Sequence, residues 1–303
     1  MVDQNAWVDR EAYPFRPRYV ETTFGRVHYI DEGPANGEVV LLVHGTPSWS
    51  FEYRHVIPVL ARTRRVIAVD HLGFGLSERP VGFAYSPEAH TAVLREVAAK
   101  LRLLRFALVV HDYGGPIALP LAVAEPERVS SLVVLNSWMW HLAEDPKVAQ
   151  GARWLDGGLG RFMYRWLNVS LRLLMPLGYA VRSRLTPQIH AQYLTPFAQR
   201  AARDRVLWAL LCALLLSRES FEKLWTGRAR LASIPSLIVW GSGDRALPPG
   251  TLERWRQALP QARVQELVGV GHWPQEEAPA EVARLLDGFL PRALGSQAML
   301  AGA

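Results

Sequence analysis

Short apolar runs alternate with stretches of helical apolar spacing along most of the chain, and the alternation lapses between about Trp138 and Leu231. The short runs predict strands at 19–23, 27–31, 39–44, 65–70, 106–111, 129–136, 236–240 and 263–267, with helical stretches between most of them. The runs at 39–44, 66–70 and 107–111 are apolar almost throughout instead of alternating, as strands covered on both faces are. Such a series predicts an α/β fold with a mostly parallel, eight-stranded sheet wrapped by helices. Ligands of open α/β sheets bind beyond the carboxyl ends of the strands. His44, Asp70 and Asp112, each at or just beyond the end of one of these apolar runs and close to a glycine or turn, therefore point to one edge.

The segment 138–231 is rich in Leu, Arg and aromatic residues and is broken at Asp156-Gly157-Gly158, Pro176-Leu177-Gly178 and Pro187. It reads as a helical cap inserted between two sheet strands, with 1–137 and 232–303 forming the core domain. Its apolar run from Val206 to Leu216 is shorter than the roughly 20 residues needed to span a bilayer. A buried helix is the expectation; the alternative is an exposed face used for oligomerisation or for lying on a membrane. The tail after Gly295 is expected to fray.

Composition narrows the functional classes. With 303 residues, half of them hydrophobic and a fifth charged, the chain can bury a large core. Its N-terminus has acids and no apolar stretch of signal-peptide length, so a cytoplasmic protein is expected. A single cysteine, Cys212, excludes an internal disulfide framework and a thiolate metal cluster. No metal and no cofactor is expected. The excess of six positive charges comes from scattered arginines, without the basic stripe or module of a nucleic-acid binder.

The chemistry begins at V-V-H-D-Y-G-G-P, residues 109–116. A strand, a nucleophile flanked by small residues and an immediate helix form the nucleophile elbow usually written G-x-S-x-G. Aspartate here replaces serine: Asp112 stands at the turn, and Gly114 and Gly115, lacking Cβ atoms, let the next helix approach closely. No G-x-S-x-G occurs elsewhere in the chain. The partners of a triad should follow in the order nucleophile, acid, base. Asp244 in L-I-V-W-G-S-G-D and His272 in V-G-V-G-H-W-P do so, each just after a strand. Alone, Asp244 would read as a turn residue and His272 as a surface histidine; together and in order they read as a triad. The strand ending at His44-Gly45 leads to Thr46, so the backbone N–H groups of Thr46 and Tyr113 are the candidate oxyanion donors. His44 has no partner at metal-ligand spacing and reads as structural.

A carboxylate with an ordinary pKa near 3.9 is ionised at neutral pH, so its first attack needs no general base. It can displace a leaving group from saturated carbon or open a strained ring, giving an ester. Water attacking the carboxyl carbon then releases the product, with His272 as general base and Asp244 fixing its tautomer. A serine ether could not be released this way.

The stretches H-G-T-P-S-W-S-F-E-Y-R, V-D-H-L-G-F-G-L-S-E-R-P, V-V-H-D-Y-G-G-P and G-H-W-P-Q-E-E-A-P strongly resemble the haloalkane dehalogenases and their close relatives, from about Pro17 to Leu290. The resemblance implies the α/β-hydrolase fold with a helical cap, a covalent ester intermediate, and a small hydrophobic substrate with water as partners. Asp244 resembles the acid of the subfamilies that place it late. Two positions depart from the family: Tyr113 stands where a tryptophan usually holds the halide, and Thr46 where many members have asparagine. Trp49, Trp138 and Trp140 are candidate substrate-binding residues, and Trp273 is another that could supply an indole N–H. The alternatives to dehalogenation are epoxide hydrolysis, for which Tyr164, Tyr179 and Tyr193 could donate to the ring oxygen, opening of a β-lactone with loss of carbon dioxide, and a non-catalytic receptor on the same fold.

Overall fold

The computed structural model describes residues 6–155 and 157–292. Its eight strands are β1 (Arg18–Thr22), β2 (Gly25–Glu32), β3 (Glu38–Val43), β4 (Arg64–Val69), β5 (Phe106–Asp112), β6 (Val129–Ser137), β7 (Ser236–Gly241) and β8 (Arg263–Leu267). They form one sheet in the order β1-β2-β4-β3-β5-β6-β7-β8. β1 pairs with β2, and β2 with β4, antiparallel; every other pairing is parallel. The predicted strands correspond to these within two residues at each end, because both the apolar runs and the turns that stop them are local features.

Central strands carry the core. Val40 to Val43 and Phe106 to Val110 are almost wholly excluded from solvent, as the unbroken apolar runs require when helices cover both faces. Helix α1 (Pro87–Lys100) connects β4 to β5. It starts on a Ser86 cap whose hydroxyl accepts the Ala89 N–H at 3.3 Å, with Pro87 at the first helical position. Helix α2 (Gly114–Ala124) follows β5 without a loop and is apolar nearly all round, which suits a helix buried between the sheet and its neighbours.

Between Ser137 and Ser236 the described residues contain helices and turns but no strand. This stretch lies over the carboxyl edge of the sheet: Trp49, after β3, donates its indole N–H to Gln192 O at 3.0 Å, and Tyr113, after β5, donates its hydroxyl to Leu210 O at 3.0 Å. The run 206–216 differs from its expectation. It is divided between a wide-turned helical segment, Arg203–Trp208, and a regular helix, Ala209–Leu216. Only Val206, Leu207 and Leu210 are buried, while Leu216 is 74% exposed. An all-apolar run carries no periodicity to reveal which face turns inward. The tail after Gly295 lies outside the described residues.

Candidate active site

β5 ends on Asp112, whose φ of +47° lies in the left-handed region that an aspartate occupies only at a cost. The strain is held by its surroundings. Ser137 Oγ donates to the Asp112 carbonyl at 2.6 Å. The backbone of Gly45 presses so close that a Cβ there would stand 2.4 Å from the Asp112 Cβ, and one on Gly114 would stand 2.3 Å from Val43 O. Glycine is needed at both places for close approach of backbone. The Asp112 carboxylate is thereby aimed into a cavity beneath the helical segment. Its Oδ2 accepts the Thr46 N–H at 2.8 Å, and its Oδ1 lies 3.2 Å from His272 Nε2.

Turns after β7 and β8 bring the other two residues to the same point. His272 Nδ1 donates to Asp244 Oδ2 at 2.9 Å. The other oxygen of Asp244 accepts the N–H groups of Ala246 and Leu247 at 2.7 and 3.1 Å. Asn136, near the end of β6, locks this arrangement: its Nδ2 donates to Asp244 Oδ2 at 2.7 Å and its Oδ1 accepts the Gly241 N–H at 2.8 Å. It too has a positive φ, +33°. His111 supports the His272 loop, its Nε2–H donating to His272 O at 2.8 Å while Nδ1 faces Glu52 at 3.1 Å. Asn136 and His111 gave only the local signal of a polar residue at or near the end of an apolar strand, and Glu52, in the helical turn Ser50–Tyr53 after β3, gave none, so none of the three was legible in the sequence.

Burial and charge oppose one another here. Burial pushes the Asp112 carboxyl up, but the His272 hydrogen bond and charge, His111 and the Tyr113 backbone N–H outweigh it and leave the group below the usual carboxylate value. Asp244 is lowered in the same way, burial being overcome by His272 and Asn136. Burial works against charge on His272, yet Asp244 and Asp112 together raise its pKa to about 10. At neutral pH the site rests as two carboxylates around an imidazolium. His44 is structural, donating from Nδ1 to Gly45 O at 2.7 Å and accepting the His71 N–H on Nε2 at 3.0 Å. Among the described residues no group of three His, Cys, Asp or Glu side chains is arranged to hold a metal ion.

The cavity over Asp112 measures about 180 Å³, and apolar groups dominate its walls, among them Trp138, Leu174, Leu207, Leu210 and Trp273. Trp138 is thus among the cavity-lining residues. Trp49 and Trp140 do not line it: Trp49 packs on Phe51 with its N–H committed to Gln192 O, and Trp140 sits edge-on to Trp225 and Trp255 beside a separate hollow. The phenol of Tyr113, the residue that stands where the family usually has a halide-holding tryptophan, is spent on Leu210 O, and burial followed by the Asp112 charge raises its pKa well above its ordinary value. Of the three tyrosines, Tyr164 lines the cavity, whereas Tyr193 bonds Glu276 and Tyr179 stacks on Trp273. Sequence placed these aromatic residues near the site; which of them face it depends on long-range packing.

A strained residue between a parallel strand and a helix, with an acid and a histidine from the turns after β7 and β8, defines the class. The chain belongs to the α/β-hydrolase family, whose model, the alpha/beta hydrolase fold, matches residues 38–279. Among relatives, it is 34% identical over 278 residues to haloalkane dehalogenase 2 of Mycobacterium tuberculosis, covering 91% of this chain and 95% of the relative. It is 32% identical over 286 residues to a cis-3-alkyl-4-alkyloxetan-2-one decarboxylase of Shewanella oneidensis, covering 91% and 89%. The crystal structure of a haloalkane dehalogenase from Bradyrhizobium elkani superposes with a TM-score of 0.82 over 90% of this chain and 97% of the other, at 24% identity, a likeness of fold. The protein is an α/β-hydrolase enzyme.

Proposed function

We propose that this enzyme uses Asp112 to form, and His272 with Asp244 to hydrolyse, an alkyl ester of a small hydrophobic substrate, in the manner of a haloalkane dehalogenase. The observation that carries the reading is the division of the Asp112 carboxylate: Oδ2 held by the Thr46 N–H at 2.8 Å and Oδ1 beside His272 Nε2 at 3.2 Å, on a backbone with φ +47°. One carboxylate oxygen attacks the saturated carbon, and the carbon–leaving-group bond breaks with its electron pair. Alkylation removes the charge on Asp112 and with it part of what holds the proton on His272, so the imidazolium gives that proton up to solvent and the neutral imidazole is free to act as the base. It then takes a proton from water attacking the carboxyl carbon. The oxyanion forms where the Thr46 and Tyr113 N–H groups point. The segment 138–231 is the cap that closes the cavity over this chemistry.

A second reading has its own support. With the Tyr113 phenol committed to Leu210 O, this position offers a halide no side-chain donor. In a β-lactone the leaving group stays attached: attack on the ring carbon releases a carboxylate within the same molecule, and loss of carbon dioxide supplies the electrons of the alkene and expels Asp112. No water is consumed and no base is required. The 32% identical decarboxylase fits this alternative. Turnover of brominated alkanes, epoxides and β-lactones, read as halide, proton or carbon dioxide release with Asp112→Ala as the blank, decides between them. No turnover of any of the three would sink both readings.

A further inference from the structure

The helical segment over the cavity turns an unusual amount of apolar surface outward. Of thirteen large hydrophobic side chains exposed among the described residues, eight fall between Leu159 and Val181. Leu159, Phe162 and Trp166 recur at helical spacing before the left-handed turn at Asn168, and the Phe162 and Trp166 rings stack with centroids 6.3 Å apart. Beyond that turn Leu173, Leu174 and Leu177 are exposed between 38% and 50%, while Tyr164, Leu171 and Met175 on the other face are buried. Scattered exposed apolar residues need no explanation, but a clustered set does.

Charge identifies the occupant. From Gly157 to Arg205 the sequence has eight arginines and one acid, Asp204, whereas the whole chain has an excess of only six positive charges. Asp204 pairs with Arg161 and Arg165; among the described residues Arg172, Arg182, Arg184 and Arg200 have no carboxylate partner. Arg200 lies over the Trp166 ring at 4.0 Å. A two-fold contact with a second copy would bring this arginine-rich face against itself, so like charges oppose that partner. An apolar patch interleaved with arginines and aromatic rings matches the headgroup and acyl boundary of an anionic bilayer, with the arginine stems in the apolar layer and their heads among phosphates. No described helix is long and apolar enough to cross a membrane, so the contact would be one of lying on the surface. Leu174 belongs both to this patch, at 43% exposure, and to the lining of the cavity over Asp112. The patch therefore reaches the cavity.

We propose that the face formed by Leu159–Leu177 and its arginines docks the enzyme on anionic lipid surfaces, with the cavity opening toward the bilayer. Docking does not depend on the ester chemistry, and it is tested on the full chain, both wild type and Asp112→Ala, so a failure of one proposal leaves the other standing. Co-sedimentation is measured with phosphatidylglycerol-containing and pure phosphatidylcholine vesicles at low and high salt. Two variants accompany it, F162S/W166S/L173S and R172A/R182A/R184A, each checked for an unchanged circular dichroism spectrum. The wild type should pellet with the anionic vesicles and less so at high salt. The arginine variant should partition roughly fivefold more weakly per arginine removed, and the apolar variant should also lose binding. Wild-type protein left in the supernatant, equal binding to both vesicle types, or two folded variants that bind like the wild type would each overturn the proposal. So would a wild-type dimer in sedimentation velocity that the apolar variant dissociates without any vesicle binding.

Discussion

His272 Nε2 lies 3.2 Å from Asp112 Oδ1, and both groups are buried, so that each holds the other in its charged form. In the proposed reaction the pair is strongest before alkylation, which removes the Asp112 charge that holds the imidazolium. The two proposed steps on one carboxylate can be separated experimentally.

Replacing His272 by Phe should leave alkylation possible and slow hydrolysis of the ester by roughly 10² to 10⁴. With a true substrate, intact-mass measurement should find a stoichiometric adduct on this variant and none on Asp112→Ala. Rapid turnover by the His272 variant would count against ester hydrolysis and, were the substrate a β-lactone, would favour the decarboxylation reading.

Single-turnover hydrolysis in oxygen-18 water should place label in the Asp112 carboxylate, because water attacks the carboxyl carbon and not the substrate. Peptide mass mapping reads the label. Its appearance only in the product would exclude a covalent ester.

Stability should depend on pH through His272. Its pKa is raised from 6.5 to about 10, so the stabilisation from its charged form is fully present below pH 6.5 and is lost as pH rises toward 10. Asp112 and Asp244, both lowered from 3.8, contribute stability above that value that is lost on acidification. Thermal melts of the wild type should fall between pH 6.5 and 10 by more than those of His272→Phe; parallel curves would mean that the imidazole carries no such charge.

Asn136 holds Asp244 by a hydrogen bond of 2.7 Å and should act on the proposed reaction through it. Asn136→Ala removes a donor to a carboxylate and leaves the Gly241 N–H without its acceptor, at a cost of about 1.5–3 kcal/mol in unfolding free energy. In the alkyl-enzyme, loss of its hydrogen bond to Asp244 should shift the pH profile of ester hydrolysis as well as lower kcat. A stability loss with an unchanged profile would reduce Asn136 to a packing role.

Arg54 and Glu276 form a buried, two-pronged ion pair, with Nη2 2.7 Å from Oε2, and Tyr193 bonds the same carboxylate. The pair ties the segment after β3 to the loop that carries His272. Arg54→Leu should destabilise the protein by about 3–5 kcal/mol, since Glu276 would keep a buried charge without its partner. Denaturant unfolding measures it, and a change below 1 kcal/mol would mean that Glu276 takes up a proton cheaply.

Eight strands, their near-parallel arrangement, and the Asp112, Asp244 and His272 loops were all legible in the sequence. The reason is local: continuous apolar runs mark buried strands, glycines mark the turns that end them, and the fold rule that strand ends share an edge joins residues 160 positions apart. Tertiary structure alone decided which aromatic rings face the cavity. Trp49 and Trp138 carry the same local signal, yet one spends its N–H on Gln192 O and the other lines the wall over Asp112. The same holds for Asn136, whose role exists only because β7 lies beside β6 and brings Gly241 and Asp244 within reach. It holds again for the run at 206–216, where an unbroken apolar series gave no period from which to read its buried face. Side-chain contacts across distant segments are set by packing, and packing leaves no periodic trace in the chain.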